Sequence, residues 1–282
     1  LELANTKLIL VEGLPGSGKS TTAQLTNDIL SEMNINTQLF LEGNKDHPAD
    51  YDAISYFTKE EFNHILDQFN DFKELLIKHT EEQANGYFLS SYRIRKGLGD
   101  LLLPEPLEKK LWDKDVYELP LDKHIELITE KWKSFCEKAV NSEDTYIFEC
   151  CFIQNPVTIG MVKYGASDEI VMSFVNRLAS IIEPLNPILI YVEQKDIQKS
   201  FKKAIQERSK EWFTSFLDYY NNQVYGKFHG VNGLEGTLTV LESRRQLESK
   251  IFDIIKMKKF KVDNSEFDFD SHKKNILHKL KL

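Results

Sequence analysis

The sequence predicts an α/β fold, a three-layer arrangement with a parallel five-stranded sheet and a helical insertion. Short apolar runs alternate with helical stretches, as parallel strands joined by crossover helices do. The first run leads through a glycine-rich loop straight into a helix start. About a hundred residues with little strand character then separate the second run from the third, too long for an ordinary connection.

The first strand is read at Leu8-Ile9-Leu10-Val11, and Thr21-Thr22-Ala23-Gln24-Leu25 continues beyond the loop with helical spacing. The second, Thr37 to Leu41, ends at Glu42-Gly43-Asn44, and the third, Thr145 to Phe148, ends at Glu149. The fourth, Ile188 to Val192, ends at Glu193 and follows Pro184 and Pro187, which stop the helix before it. The weakest, Phe260-Lys261-Val262, ends at Asp263-Asn264-Ser265. Ligands of such sheets bind at the carboxyl ends of the strands, so strand-end carboxylates there are candidates for chemistry.

The whole of residues 1–282 is read as one domain, with 44–144 inserted as a helical substrate subdomain. One stripe in it runs through Phe57, Phe62, Ile65, Leu66, Phe69, Phe72, Leu75 and Leu76. Another runs through Ile125, Ile128, Trp132, Phe135 and Ala139, and core packing is the first explanation of both. Leu101 to Pro106 breaks the insertion into halves. Residues 195–236 form a lid region. Gly226, Gly230, Gly233 and Gly236 after the aromatic stretch Trp212 to Tyr220 suit either a mobile flap or an ordinary surface loop.

The loop itself reads Gly13-Leu14-Pro15-Gly16-Ser17-Gly18-Lys19-Ser20, which fits the phosphate-binding pattern G-x-x-x-x-G-K-[ST]. Glycines let the backbone turn N–H groups onto one phosphate, and the helix N-terminus adds partial positive charge. Lys19 would meet the outer phosphates as a cation, the Ser20 hydroxyl would complete a Mg²⁺ shell, and Thr21 lies in the first helical turn. The expected ligands are ATP and Mg²⁺.

Composition narrows the partners. A net charge of −8 without a long basic run argues against nucleic acid, and no segment reaches transmembrane length, which argues against a membrane. Cys136, Cys150 and Cys151 lack metal-ligand spacing and make a poor disulfide framework, so a reducing, cytoplasmic setting is expected. The remaining expected partner is a small-molecule acceptor, with the oligomeric state left open.

No glycine has Asp three positions before it, so the GTPase D-x-x-G switch is missing, and the transporter signature L-S-G-G-Q is absent. The chain resembles the nucleoside and nucleotide kinases of the P-loop NTPase fold, including deoxynucleoside and thymidylate kinases. The likeness is close over Lys7 to Leu25, coarse over the other strands and residues 195–210, and absent from most of the insertion. It implies an ATP-dependent phosphotransferase acting on a hydroxyl. By that resemblance Glu42 would be the general base and Glu149 the metal carboxylate, while Cys150 stands where the family carries Arg. The lid cations would come from Lys202, Lys203, Arg208 and Lys210, with Arg208 favoured for its planar fork.

The alternatives are plain ones. Glu42 could cap a turn, Glu149 could pair with a lysine, and Arg208 could sit on a solvated helix face. His47, Asp50 and Tyr51 lie just past Glu42 where an acceptor would sit, and Arg93 and Arg95 would suit an anionic acceptor. The competing function is a nucleotide-binding regulator that hydrolyses ATP slowly without an acceptor.

Overall fold

The computed structural model describes residues 3–99 and 102–281, so Leu101 of the expected break lies outside the described residues. Two compact units emerge: one of Leu1–Glu42 with Lys131–Leu282, the other of Gly43–Glu130. The first unit opens with strand β1 (Leu8–Gly13), buried along its whole length, and helix α1 (Lys19–Glu32). Strand β2 (Thr37–Phe40) stops before Leu41, so Glu42 lies past the strand rather than closing it.

The second unit departs from the helical expectation. It holds strand β3 (Ile54–Phe57), helices α2 (Lys59–Gln68) and α3 (Lys73–Lys78), strands β4 (Thr80–Gln83) and β5 (Gly86–Ser90), and helices α4 (Ser91–Leu98) and α5 (Glu105–Asp113). The strands form an antiparallel sheet in the order β3-β5-β4. β4 reads Thr-Glu-Glu-Gln, with no apolar alternation to announce it, although Asn85-Gly86 is a hairpin signal. A Cβ on Gly86 would come within 2.7 Å of the Phe57 carbonyl, so the tight crossing needs glycine. The stripe from Phe57 to Leu76 is not one helical face: Phe57 is on β3, and a capping box of Thr58 with Glu61 starts α2 just after it. Its members still share one core, where Phe57, Phe62, Ile65, Leu66 and Leu76 join Leu89 and Ile94.

Helix α6 (Leu121–Ala139) leads back to the first unit, which continues with β6 (Thr145–Glu149), the short α7 (Gln154–Val157), a π-helical turn over Thr158–Lys163, and α8 (Asp168–Ile182). Then come β7 (Ile188–Glu193), α9 (Ile197–Glu207), α10 (Lys210–Asn222), α11 (Val224–Phe228), α12 (Gly233–Ile254), β8 (Lys258–Asp263) and α13 (Phe269–Lys281). The strands make a five-stranded parallel sheet in the order β2-β6-β1-β7-β8.

Alternation along the strands builds the layers. Ile9 and Val11 face α1 and α13 in a cluster with Ile29, Leu30, Ile276 and Leu280. The opposite face takes Phe148, 4.8 Å from Phe135 and 6.0 Å from Trp132 of α6 by ring centroids, and Tyr191, 5.9 Å from Phe252 of α12. Most of residues 226–236 is α11 and the first turn of α12, so the stretch is not the ordinary surface loop its glycines also suited. A Cβ on Gly226 would strike the Asn221 carbonyl at 2.5 Å, so this glycine allows close packing.

Phe148 is fully buried among Phe40, Trp132 and Phe135. Phe148→Ala is expected to cost about 3–5 kcal/mol of stability, measured by urea unfolding.

Candidate functional site

The chain reverses direction across the sheet at β1, whose neighbours β6 and β7 lie on either side, and such a switch point leaves a crevice at the carboxyl ends of the strands. The glycine-rich loop occupies it. Gly13, Gly16 and Gly18 have φ of 148°, 82° and 93°, values that side chains resist. A Cβ on Gly13 would lie 2.5 Å from the Val192 carbonyl, and one on Gly18 would land on the Asn264 amide. The loop is pinned at Ser17, whose carbonyl accepts from Gln194 Nε2 (3.0 Å) and Asn264 Nδ2 (2.9 Å). The Ser17 hydroxyl is buried without a partner, and Gly18, which precedes α1, offers the helix no side-chain cap. Backbone N–H groups at such a helix start are disposed to bind an anion.

Polar groups converge beside the loop. Lys19, only 5% exposed, donates from Nζ to the Leu14 carbonyl at 2.9 Å. Burial works against its charge, but Cys150, Glu42, Glu149 and Glu12 outweigh that and raise its affinity for the proton. Ser20 Oγ donates to Glu149 Oε1 at 2.6 Å, and the Glu42 N–H donates to Glu149 Oε2 at 3.1 Å. The Glu42 carboxylate accepts from Gln154 Nε2 at 2.9 Å and from the Cys150 thiol at 3.5 Å. Cys150 sits at φ 71°, and burial pushes its thiol well above the ordinary range.

Glu12 was not anticipated. It is fully buried at the end of β1, and its two oxygens accept from the Phe152 and Gln154 N–H groups, each at 2.8 Å. Desolvation raises its carboxyl to about 7, against the lowering pull of those N–H groups and of Lys19. The only sequence signal is a charged residue inside an otherwise apolar run, Leu-Ile-Leu-Val-Glu-Gly. A second buried network was equally hidden. Arg244, fully buried on α12, donates to Glu248 Oε1 (2.8 Å), to Thr158 Oγ1 (3.0 Å) and to the Tyr220 hydroxyl, and Tyr191 donates to Glu248 Oε2 at 2.7 Å. An Arg-x-x-x-Glu pair on a helix reads as a solvated face until the tertiary packing covers it.

Part of this constellation lines a cavity of about 630 Å³. Pro15, Gly16, Lys19, Ser20 and Thr21 meet Glu42, Glu149 and Gln154 there, and Arg208, Trp212 and Phe216 supply another wall. The Arg208 guanidinium lies 4.8 Å from the Trp212 ring centroid, stacked on the aromatic face. Among the described residues no helix is long and apolar enough to cross a membrane, and Cys136, Cys150 and Cys151 are buried outside any disulfide.

The other sequence candidates belong to the second unit and are engaged inside it. His47 is buried, with Nδ1 accepting from the Ala49 N–H at 3.1 Å. Asp50 accepts from the Tyr117 hydroxyl at 2.6 Å, and the Tyr51 ring stacks on Phe88 at 4.8 Å. Arg93 pairs with Asp46, and Arg95 with Glu108 at 3.3 Å. No family model and no curated protein matches the chain, so its activity has to be read from its own residues.

Glu12 also sets a pH dependence. The folded chain holds the Glu12 proton more tightly than the unfolded chain, so ionising it disfavours the fold. Its contribution is fully present below the ordinary carboxyl value and is lost as pH rises to about 7, a change of about 3 kcal/mol. Glu12→Gln should flatten this component in urea unfolding between about pH 5 and 8. Below about pH 5 it should also lower stability by about 1–3 kcal/mol, because the Gln amide nitrogen cannot accept from the second N–H, and above about pH 7 the missing ionisation penalty should offset that loss.

Proposed function

We propose that this protein is an ATP- and Mg²⁺-dependent phosphotransferase that moves the γ-phosphoryl group to a hydroxyl of a small molecule, after the manner of the P-loop nucleoside and nucleotide kinases it resembles. The observation that carries this reading is the convergence of Lys19, Ser20, Glu149 and Glu42 beside a glycine loop at the carboxyl ends of β1 and β6. The residues present suit the ligands. Side chains at Gly13 and Gly18 would close the loop, the Ser17 hydroxyl lacks a partner, and Ser20 with Glu149 offers hard oxygens of the kind Mg²⁺ takes.

Gly13, Leu14, Gly16, Ser17, Gly18 and Thr21 would hold the phosphates through backbone N–H groups, Pro15, which has no N–H, would set the turn, and Lys19 would neutralise the outer phosphates. Ser20 and Glu149 would hold Mg²⁺, which when bound balances charge on the phosphates. Glu42 accepts the proton of the acceptor hydroxyl as its oxygen bonds to the γ-phosphorus and the bond to the ADP oxygen breaks. Gln154 fixes the orientation of that carboxylate. Arg208 stabilises charge on the transferred group by leaving its stack on Trp212. A reducing, cytoplasmic setting suits three buried thiols outside any disulfide.

A metabolite screen for acceptor-stimulated ADP release, with mass spectrometry of the product, tests the reading directly. ADP release that no acceptor stimulates would favour the regulatory alternative. Lys19→Ala is expected to abolish ATP binding in calorimetry with Mg²⁺, since the outer phosphates lose their cation. Glu42→Gln should keep near-normal ATP affinity while phosphoryl transfer drops about 100- to 10,000-fold. Glu149→Gln should instead raise the Mg²⁺ concentration needed for half-maximal activity.

A further inference from the structure

Cys150 has no part in the phosphotransferase reading, yet it stands at the centre of the site's charge. One carboxylate oxygen from each of Glu42 and Glu149 and the Cys150 sulfur all lie within 4.8 Å of one another. The sulfur is 3.5 Å from Glu42 Oε2. A tetrahedral zinc ion with bonds of about 2.3 Å to sulfur and about 2.1 Å to oxygen separates those two ligand atoms by about 3.6 Å. Two of the three donors therefore already stand at the spacing such an ion requires.

A second observation comes from Gln154. This side chain is 6% exposed and gives its Nε2 to Glu42 Oε1, while its own Oε1 is buried with no hydrogen-bond partner. Through that Nε2 bond the amide holds the Glu42 carboxylate in place beside the Cys150 thiol. Donor chemistry points the same way. Mg²⁺ prefers six oxygen ligands and gains nothing from sulfur, whereas zinc-class ions favour a thiolate with carboxylates.

We infer that Glu42, Glu149 and Cys150 form a binding site for a thiophilic divalent cation of the zinc class, with Gln154 supporting the Glu42 ligand and one coordination position left open. On binding, the metal–sulfur bond forms, the S–H bond breaks and the proton goes to solvent, so no oxidant or reductant is needed. The site needs neither nucleotide nor acceptor and stands or falls apart from the phosphotransferase reading. Should both hold, the same cation takes Glu42 out of use as a base and inhibits the enzyme.

Cobalt(II) is the probe, titrated into the protein without nucleotide. One equivalent should produce a near-ultraviolet thiolate-to-cobalt charge-transfer band with the visible bands of tetrahedral cobalt, and one equivalent of Zn²⁺ should bleach both. Cys150→Ser should lose the charge-transfer band, whereas the double variant Cys136→Ser, Cys151→Ser should retain it. Gln154→Leu, which leaves all three ligands in place, should weaken cobalt binding by about 10- to 100-fold. That variant also carries the test if Cys150→Ser fails to fold by circular dichroism. A wild-type protein with no charge-transfer band, a band that survives in Cys150→Ser, or cobalt affinity unchanged in Gln154→Leu overturns the site.

Discussion

The buried carboxylate of Glu12 ties the end of the central strand to the turn that follows its neighbour. Its two oxygens take the N–H groups of Phe152 and Gln154, so one side chain fixes the exit of β6 against the exit of β1. Everything at the crevice inherits that constraint. Gln154 is held by its backbone and can offer its amide to Glu42, while Glu149 and Cys150 are delivered by the strand whose end is fixed. The glycine loop leaves β1 immediately after Glu12, so the loop and the carboxylates share one anchor.

Such an arrangement is not chosen for stability. Glu12, Lys19, Glu149, Arg244 and Glu248 are each at most 5% exposed, and buried charges cost more in lost hydration than simple pairing returns. Each is engaged instead in a hydrogen-bond network that leaves it little freedom to turn away. Arg244 donates to Thr158 and Glu248 and reaches Tyr220 of α10, so it joins the π-helical turn after α7 to a wall of the cavity. A site that must present fixed charges to a ligand gains from this, because the groups are oriented before the ligand arrives. The apolar packing of α1, α6, α12 and α13 on the two faces of the sheet supplies the stability these charges give up.

Much of the first unit was legible in the sequence. Leu8 to Val11, Thr145 to Phe148 and Ile188 to Val192 are continuous apolar runs, and strands covered on both faces by helices have that signature. The spacing of Gly13, Gly16, Gly18, Lys19 and Ser20 likewise shows in one dimension, because a strand, a tight turn and a helix start are all local. Glu42 and Glu149 could be named from their places near strand ends. The second unit was harder: the polar Thr-Glu-Glu-Gln of β4 carries no periodicity, and its pairing with β5 is satisfied by backbone hydrogen bonds that any side chains permit.

What the sequence determined by itself, then, was the parallel α/β sheet, the conformation of the glycine loop and the residues that end the strands. These follow from local sterics and from the period of apolar residues. Only the tertiary structure decided that Glu12 would be buried and grip Gln154, that Arg244 and Glu248 would leave the solvent, and that Cys150 would stand between two carboxylates. Each depends on which chain segment covers which, and burial is what turns a carboxylate or an arginine from a surface group into a fixed one. The spacing between residues 12, 42, 150, 154 and 244 carries no local signal, because the sheet, not the chain, brings them together.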